Sequence, residues 1–552
     1  MWHTLECSFV TSHTTAPAPD NAPAPLARSI ATALAKPRRT LPPVTANRRE
    51  TLAYVLILAI VSFTRLVALG RVTDYGTPIF DEKHYVPQAW NMVTSAQDFL
   101  TGGVELNPGF GLVVHPPLSK QLMAIGQALF GYTAFGWRIS GAIAGIITVA
   151  LLMLLVRRLT GQRLAGIITG VLACCDGVLL IESRFALLDI FLVTAVIVAT
   201  YCLLRDRQAV TDRYQTILHT PVTAADPTGT GGTITGLPMV PAGQLGPNFG
   251  WRWWRFACGI ALGCALSVKW SGLYYMAFFG IYIVAADMVL RFQAGEPRPV
   301  VTTLVKDSWK SFISLVIVPV LVYLWSFRAW FAGETTVYRH QINAGAIDDT
   351  SVLRWLPEPV ASFLDYHRQV LSFHSSITSS SGHHHPWDSK PFSWLVAARP
   401  VLYYSDTDID CAQGTCRKMI YLFGTPGIWW MTVPVVLIAC YLLWRRHDTQ
   451  LVLPLVGWAA SFLPWVMVYD RQMYFFYAGP MVLFTIMLLA QVTTRVASWD
   501  TYQIRGKSVG KLLAASYLAL VIWCFIVYVP IFYAILIPDE LFDVLMFLPT
   551  WR

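Results

Sequence analysis

Six residues near the start of the chain, Phe80 to Tyr85, read FDEKHY, and four of them are ionisable. Only 13% of the 552 residues are charged. An adjacent Asp81–Glu82 pair just after an apolar run from Leu52 to Leu69 is therefore a candidate for chemistry. A carboxylate so placed can act as a general base that takes a proton from an attacking hydroxyl. Other scarce charges stand in or beside apolar runs. Arg65 lies inside the first and Arg138 opens the second. IESRFALLDI carries Glu182, Arg184 and Asp189, SVKWSG carries Lys269, and VYDRQMYFFYAG carries Asp470 and Arg471. An Arg or Lys at the centre of a membrane helix costs about 2.5–3.5 kcal/mol. Such residues either serve a function or lie shallow enough to snorkel. Clustered Arg and Lys suit a phosphate or diphosphate, which at a membrane surface is a lipid headgroup. Cations beside a carboxylate describe group transfer from a lipid phosphate to a hydroxyl acceptor.

The elements that must position these residues are membrane helices. Hydrophobic residues make up 55% of the chain, mean hydropathy is +0.50, and there are 21 Trp. Apolar runs of about 20 residues recur, each long enough to cross a hydrocarbon core of about 30 Å as a helix. Eleven spans are expected, near 52–70, 137–156, 163–181, 185–204, 253–268, 271–290, 310–330, 427–444, 450–468, 473–491 and 511–534. Basic residues then sort the loops. Arg48 and Arg49, Arg157 and Arg158, Arg205 and Arg207, Arg291 and Lys306, Arg445 and Arg446, and Arg505 and Lys507 fall on one side if the N-terminus is cytoplasmic. The C-terminus then lies outside, with two large extracytoplasmic loops, 71–136 and 331–426. The net charge of +9 reads as this cytoplasmic bias. Nothing resembling a nucleic-acid recognition module accompanies it.

Residues 1–50 are rich in Ala, Pro and Thr and read as a disordered cytoplasmic tail, and 51–552 as one transmembrane domain. Residues 205–252 are a cytoplasmic Gly, Thr and Pro linker with no assigned chemistry. In the first outer loop Leu118, Leu122, Ile125 and Leu129 share one helical face, which predicts a helix lying on the membrane. HYVPQAWNMV is a candidate for a second. Trp355, His367, His374, Trp387, Trp394, Tyr403 and Tyr404 crowd the second outer loop and read mainly as an interfacial belt. The three consecutive His of GHHHPW cannot all face one ion from regular structure and read as a surface turn. Cys411 and Cys416, close together in the same loop, are expected to form a disulfide.

FDEKHY (80–85), VHPPLSK (114–120), ESRFALLDIFL (182–192), SVKWSG (267–272) and RQMYFFYAGP (471–480), in this order, resemble the protein O-mannosyltransferases over most of the chain after residue 50. The resemblance implies the type C glycosyltransferase fold, here an all-α polytopic membrane protein with about 11 transmembrane helices. It implies inverting transfer of mannose from a polyprenyl phosphate mannose lipid to Ser or Thr of a protein, outside the plasma membrane. It makes Asp81 the catalytic base and Glu82 a residue that places acceptor or donor. Arg65, Arg138, Arg184 and Lys269 become holders of the donor phosphate. His115 and Lys120 shape the acceptor or donor side. The second outer loop is short for the β-trefoil that eukaryotic members carry there, so the chain is similar to the bacterial, actinobacterial-type branch. Ser119 stands where the family pattern carries Gly. The sequence itself requires no cofactor, and a divalent metal is left open because related folds hold one near a carboxylate. The implied partners are the donor lipid, membrane lipid, Ser/Thr-containing proteins and, for acceptors still extended, the translocon. The rivals are a related enzyme using another lipid-linked sugar or acceptor, and a transporter of a lipid-linked sugar.

Overall fold

Asn47 starts the first long helix: its side chain accepts a hydrogen bond from the Arg49 amide at 3.1 Å, satisfying one of the amides that a helix start leaves unpaired. The structure, a computed structural model, describes residues 47–96, 98, 101–106, 113–219, 222–225, 233–236, 245–412, 414–504 and 506–552. The expected tail therefore lies outside the described residues except for its last four. Much of the expected linker also lies outside them.

The helices in chain order are α1 (Arg48–Leu66), α2 (Glu82–Thr94), α3 (Leu118–Phe130), α4 (Ala134–Thr160), α5 (Arg163–Cys174), α6 (Gly177–Arg184), α7 (Asp189–His219), α8 (Trp253–Val268) and α9 (Gly272–Gln293). They continue with α10 (Pro299–Ser326), α11 (Glu358–Ser376), α12 (Pro426–Arg446), α13 (Thr449–Met467), α14 (Phe475–Ala497) and α15 (Val509–Tyr533). Short single-turn helices join some of these. Among the described residues, seven helices are long and apolar enough to cross a membrane. They are α4, α9, α10, α12, α13, α14 and α15. An eighth is counted if α5 and α6, bent by 60° at their junction, form one span. Helices stand at all eleven expected places, but length and composition support seven or eight spans, not eleven. α1, α7 and the 16-residue α8 do not qualify on those grounds. α14 is the central one, with 89% of its most apolar stretch inside the protein.

The α5–α6 bend is built by its sequence. Asp176 caps α6, accepting from the Leu179 amide at 2.8 Å and from Trp429 Nε1 at 2.8 Å. α6 then packs closely against α4. A Cβ on Gly145 would meet Ser183 Oγ at 2.0 Å, so only glycine permits this approach. This packing sets the Glu182–Ser183–Arg184 segment in place.

α3 is turned opposite to a soluble amphipathic helix. Ser119, Lys120 and Gln127 are buried while Ile125 and Leu129 are exposed. An outward apolar face suits a helix lying in a membrane surface.

Small antiparallel sheets accompany the helices. β1 (Val222–Ala225) pairs with β2 (Thr233–Gly236) within the expected linker. β3 (Val401–Cys411) and β4 (Gly414–Leu422) form a hairpin in the second large loop, joined later in the chain by β7 (Ile537–Pro538). β5 (Gln503–Ile504) pairs with β6 (Lys507–Ser508). A disulfide links Cys411 and Cys416 across the end of the β3–β4 hairpin, with the Cα atoms 6.0 Å apart, an ordinary span for such a bond. β3 carries an irregularity between Leu402 and Tyr404 that leaves Tyr403 without a cross-strand partner. A bulge of this kind re-aims a side chain.

Candidate active site

Asp81 occupies the residue before α2, but its side chain does not cap that helix. Asp81 as a residue is half-buried. Phe80, just before it, has φ +49°, a conformation uncommon for a bulky residue. The Phe80 ring stacks on Tyr403 with centroids 4.3 Å apart, which holds this turn in place. Strain maintained by its surroundings is a mark of functional positions. Burial pushes the Asp81 carboxyl above the usual range, nearby Asp189 adds to this, and His84 and Lys269 pull it back.

Glu82 differs from its neighbour in every respect. It is fully buried. Its Oε1 accepts from Arg138 Nε at 2.7 Å and the Ala186 amide at 2.8 Å. Its Oε2 accepts from Arg138 Nη2 at 2.6 Å and the Ile79 amide at 3.3 Å. A carboxylate so engaged has no room for a substrate hydroxyl. In this structure Glu82 is a positioning residue that locks the FDEKHY turn to α4 and to the loop before α7.

The arginines expected to hold phosphate are likewise bonded to acceptors of the protein, with the buried Arg65 Nε left unpartnered. Arg138 also donates from Nη1 to the carbonyls of Leu69 and Val72, at 3.0 and 2.8 Å. Arg65 donates to the carbonyls of Ala173 and Cys174, at 3.1 and 3.3 Å, where α5 ends. Arg184 Nη1 donates to Thr64, Arg65 and Val67 carbonyls at 2.9, 3.2 and 2.8 Å. A helix end leaves its last carbonyls unpaired, and inside a membrane that is expensive. Arg65 and Arg184 satisfy the ends of α5 and α1, and Arg138 satisfies the chain just beyond α1. Arg184, like Arg138, lines an apolar cavity, and it lies over the Tyr533 ring at 4.4 Å. Lys120 is buried too, bound to Glu105 at 2.5 Å and to the His115 carbonyl at 3.2 Å. It braces the VHPPLSK turn.

Charges do converge around Asp81. Lys269, between α8 and α9, bonds both oxygens of Asp189 at 2.8 and 2.7 Å. It sits over the rings of Phe476 and Tyr477, at 5.2 and 5.3 Å. Glu182, fully buried, takes a long bond from Tyr403 Oη at 3.4 Å and leaves Oε2 without a partner. The Arg471 guanidinium also lies over the Tyr477 ring, at 5.7 Å. It bonds His374 Nδ1 at 3.0 Å, and its Nε has no partner. His115 and His374 stack loosely, with centroids 5.8 Å apart. Burial and the surrounding cations Lys269, Lys120 and Arg471, together with His374, hold the His115 pKa well below the usual range. The result is a cluster in which Lys269 pairs directly with Asp189 near Asp81 and Glu182, with aromatic rings and Arg471 beside it. Among the described residues no three His, Cys, Asp or Glu side chains are disposed to hold a metal ion.

His374 has one consistent tautomer. The Val114 carbonyl, 3.3 Å from Nε2, can only accept, and the Arg471 guanidinium at Nδ1 can only donate. Neutral His374 is therefore required, and burial with the Arg471 charge lowers its pKa from 6.5 to about 4. The unfolded chain binds a proton between these values that the folded one does not, so stability is lost as pH falls from 6.5 toward about 4. Thermal unfolding followed against pH should show this loss, and His374→Gln should remove part of it. An identical pH slope in both proteins would refute the assignment.

Sequence reasoning placed Tyr403 and His374 in an interfacial belt. Neither bulges nor long-range ring contacts have a local signature, and only the pairing of β3 with β4 re-aims Tyr403. Arg471 was visible in the RQMYFFYAGP motif, but its role was not.

Comparisons with known proteins fit this arrangement. The family model described as "Dolichyl-phosphate-mannose-protein mannosyltransferase" matches residues 133–219 and 245–332. The one described as "C-terminal four TMM region of protein-O-mannosyltransferase" matches 359–551. The polyprenol-phosphate-mannose–protein mannosyltransferase of Corynebacterium glutamicum is 49% identical over 518 residues, covering 93% of this chain and 96% of its own. That of Mycobacterium tuberculosis is 40% identical over 499 residues, covering 90% and 91%. The Saccharomyces cerevisiae protein O-mannosyltransferase complex bound to the sugar donor shares the fold, with a TM-score of 0.67 at 15% identity over 93% of this chain and 94% of that one. The chain belongs to the polyprenol-phosphate-mannose–protein mannosyltransferase family of multi-pass membrane proteins.

Proposed function

We propose that this protein transfers mannose from polyprenyl phosphate mannose to Ser or Thr hydroxyls of proteins, with Asp81 as general base. The relatives named for this activity support the reaction. The observation that carries the residue assignment is the contrast between the neighbouring carboxylates. Glu82 has its oxygens fully engaged, while the Asp81 side chain makes no cap bond to its helix and its carboxyl is raised in pKa by burial. The acceptor hydroxyl passes its proton to Asp81 as its oxygen attacks the anomeric carbon. The bond from that carbon to the phosphate oxygen breaks, and polyprenyl phosphate leaves with the electron pair. One displacement inverts the anomeric centre. The distribution of basic loops supports a site on the outer face, with the N-terminus cytoplasmic.

The departing phosphate gains negative charge and needs fixed donors. Arg471, with unpartnered Nε, and Lys269 supply them, both over the Tyr477 ring. This moves the phosphate role from Arg65 and Arg138 to Arg471, keeping Lys269. Losing a charge-assisted bond of about 1.5–3 kcal/mol corresponds to roughly 10–100-fold weaker donor binding. Arg471→Ala should show that loss in direct donor titration, and unchanged affinity would refute the role. The reading as a whole is tested with purified protein, polyprenyl phosphate mannose and a Ser/Thr-rich peptide. Product with the anomeric configuration inverted relative to the donor is expected. Absence of transfer with intact donor would overturn the reading, and product that retains the donor's configuration would overturn the single displacement.

A further inference from the structure

A cavity of about 390 Å³ opens between the C-terminal ends of α1 and α15. It is separate from the carboxylate cluster. The Phe185 ring lines it, meets Tyr403 edge-on at 5.6 Å, and Tyr403 in turn stacks on Phe80. Two rings thus stand between the cavity and Phe80. Its walls are apolar: Phe63 and Val67 from α1, Val529 and Phe532 from α15. Phe63 is 66% exposed, so in a membrane this wall faces lipid. Three guanidinium groups line the same cavity, Arg71, Arg138 and Arg184, and of these Arg138 is paired with Glu82. Arg71 is exposed, and among the described residues its side chain makes no ion pair or hydrogen bond. Arg184 uses Nη1 for the α1 carbonyls and leaves the rest of its fork less engaged, with only a 3.4 Å contact from Nη2 to the Ala68 carbonyl. No carboxylate lines the cavity.

An apolar slot open to lipid, with positive charge and no balancing acid, matches a chain bearing a phosphate. We propose that this cavity binds an anionic phospholipid from the leaflet on the Asp81 side, with an acyl chain along Phe63 and Val529 and the phosphate at Arg71 and Arg184. The donor is not the occupant, because its phosphate must come within one sugar of Asp81 and the Phe185–Tyr403–Phe80 stack blocks that approach. Arg138 borders both the cavity and Glu82, so the bound lipid would brace the wall behind FDEKHY.

Native mass spectrometry of the purified full chain, given phosphatidylglycerol, phosphatidylcholine or polyprenyl phosphate separately and in competition, tests this. The wild type should retain phosphatidylglycerol over phosphatidylcholine by about fivefold per basic residue engaged. Arg71→Glu should abolish that preference, and Arg71→Lys should keep most of it. Val529→Trp, which fills the slot, should reduce retention of both phospholipids while leaving polyprenyl phosphate binding intact. Equal retention of the two phospholipids by the wild type would overturn the proposal. So would displacement of phosphatidylglycerol by polyprenyl phosphate together with loss of both in Val529→Trp, which would make the cavity the donor seat. No transfer assay is involved, so the outcome is independent of the mannosyl-transfer reading.

Discussion

Asp81→Asn should lower mannosyl transfer by roughly 10²–10⁴-fold, the range that a positioned general base contributes, while donor binding stays near wild type. The substitution keeps the size of the side chain and removes only its ability to take a proton. It also leaves the Phe80–Tyr403 stack and the Glu82–Arg138 bonds untouched. Single-turnover transfer with donor in excess separates chemistry from binding. The pH dependence follows from the raised Asp81 pKa. The base acts only when ionised, so wild-type transfer should rise with pH through a midpoint above the usual carboxylate range. The residual rate of Asp81→Asn should lack that rise. If the variant transferred mannose at the wild-type rate, or kept the same pH midpoint, another group would be the base.

Breaking the Glu82–Arg138 pair should have the largest effect on stability. Both side chains are at most 1% exposed and meet at 2.6 and 2.7 Å. Removing one partner of a buried pair leaves an uncompensated charge and costs about 3–5 kcal/mol. Glu82→Ala and Arg138→Ala should both lower the thermal unfolding midpoint and the yield of folded protein. The double variant Glu82→Leu, Arg138→Met should recover part of the loss. It cannot recover all, because Arg138 also holds the carbonyls of Leu69 and Val72. The alternative role, a direct grip on donor phosphate, makes the opposite forecast. An Arg138→Ala protein that unfolded like the wild type but had lost donor affinity would restore that role.

These two residues show how far local sequence reaches. FDEKHY identifies two adjacent carboxylates and cannot say which one is free. One backbone step separates Asp81 from Glu82, and each could face the site. Partners 56 and 104 positions away decide it: Arg138 and the Ala186 amide close around Glu82 alone. The arginines make the same point. Scarce charge in an apolar chain correctly marks Arg65, Arg138 and Arg184 as needed, because each would be costly without a partner. It does not distinguish an anionic ligand from the unpaired carbonyls of a helix end, since both are acceptors to a guanidinium.

The sequence by itself determined the membrane class, the places of the long helices and the family, because apolar run length, charge scarcity and ordered motifs are local quantities. It also brought Asp81, Lys269 and Arg471 to notice by residue type. Tertiary structure alone decided which charges satisfy each other and which remain open. It aimed Tyr403 through the β3 bulge, paired His374 with Arg471, and left a positively charged lipid-facing cavity beside α1. Electrostatic and hydrogen-bond satisfaction depends on distances of about 3 Å between side chains far apart in the chain, and no local pattern encodes those distances.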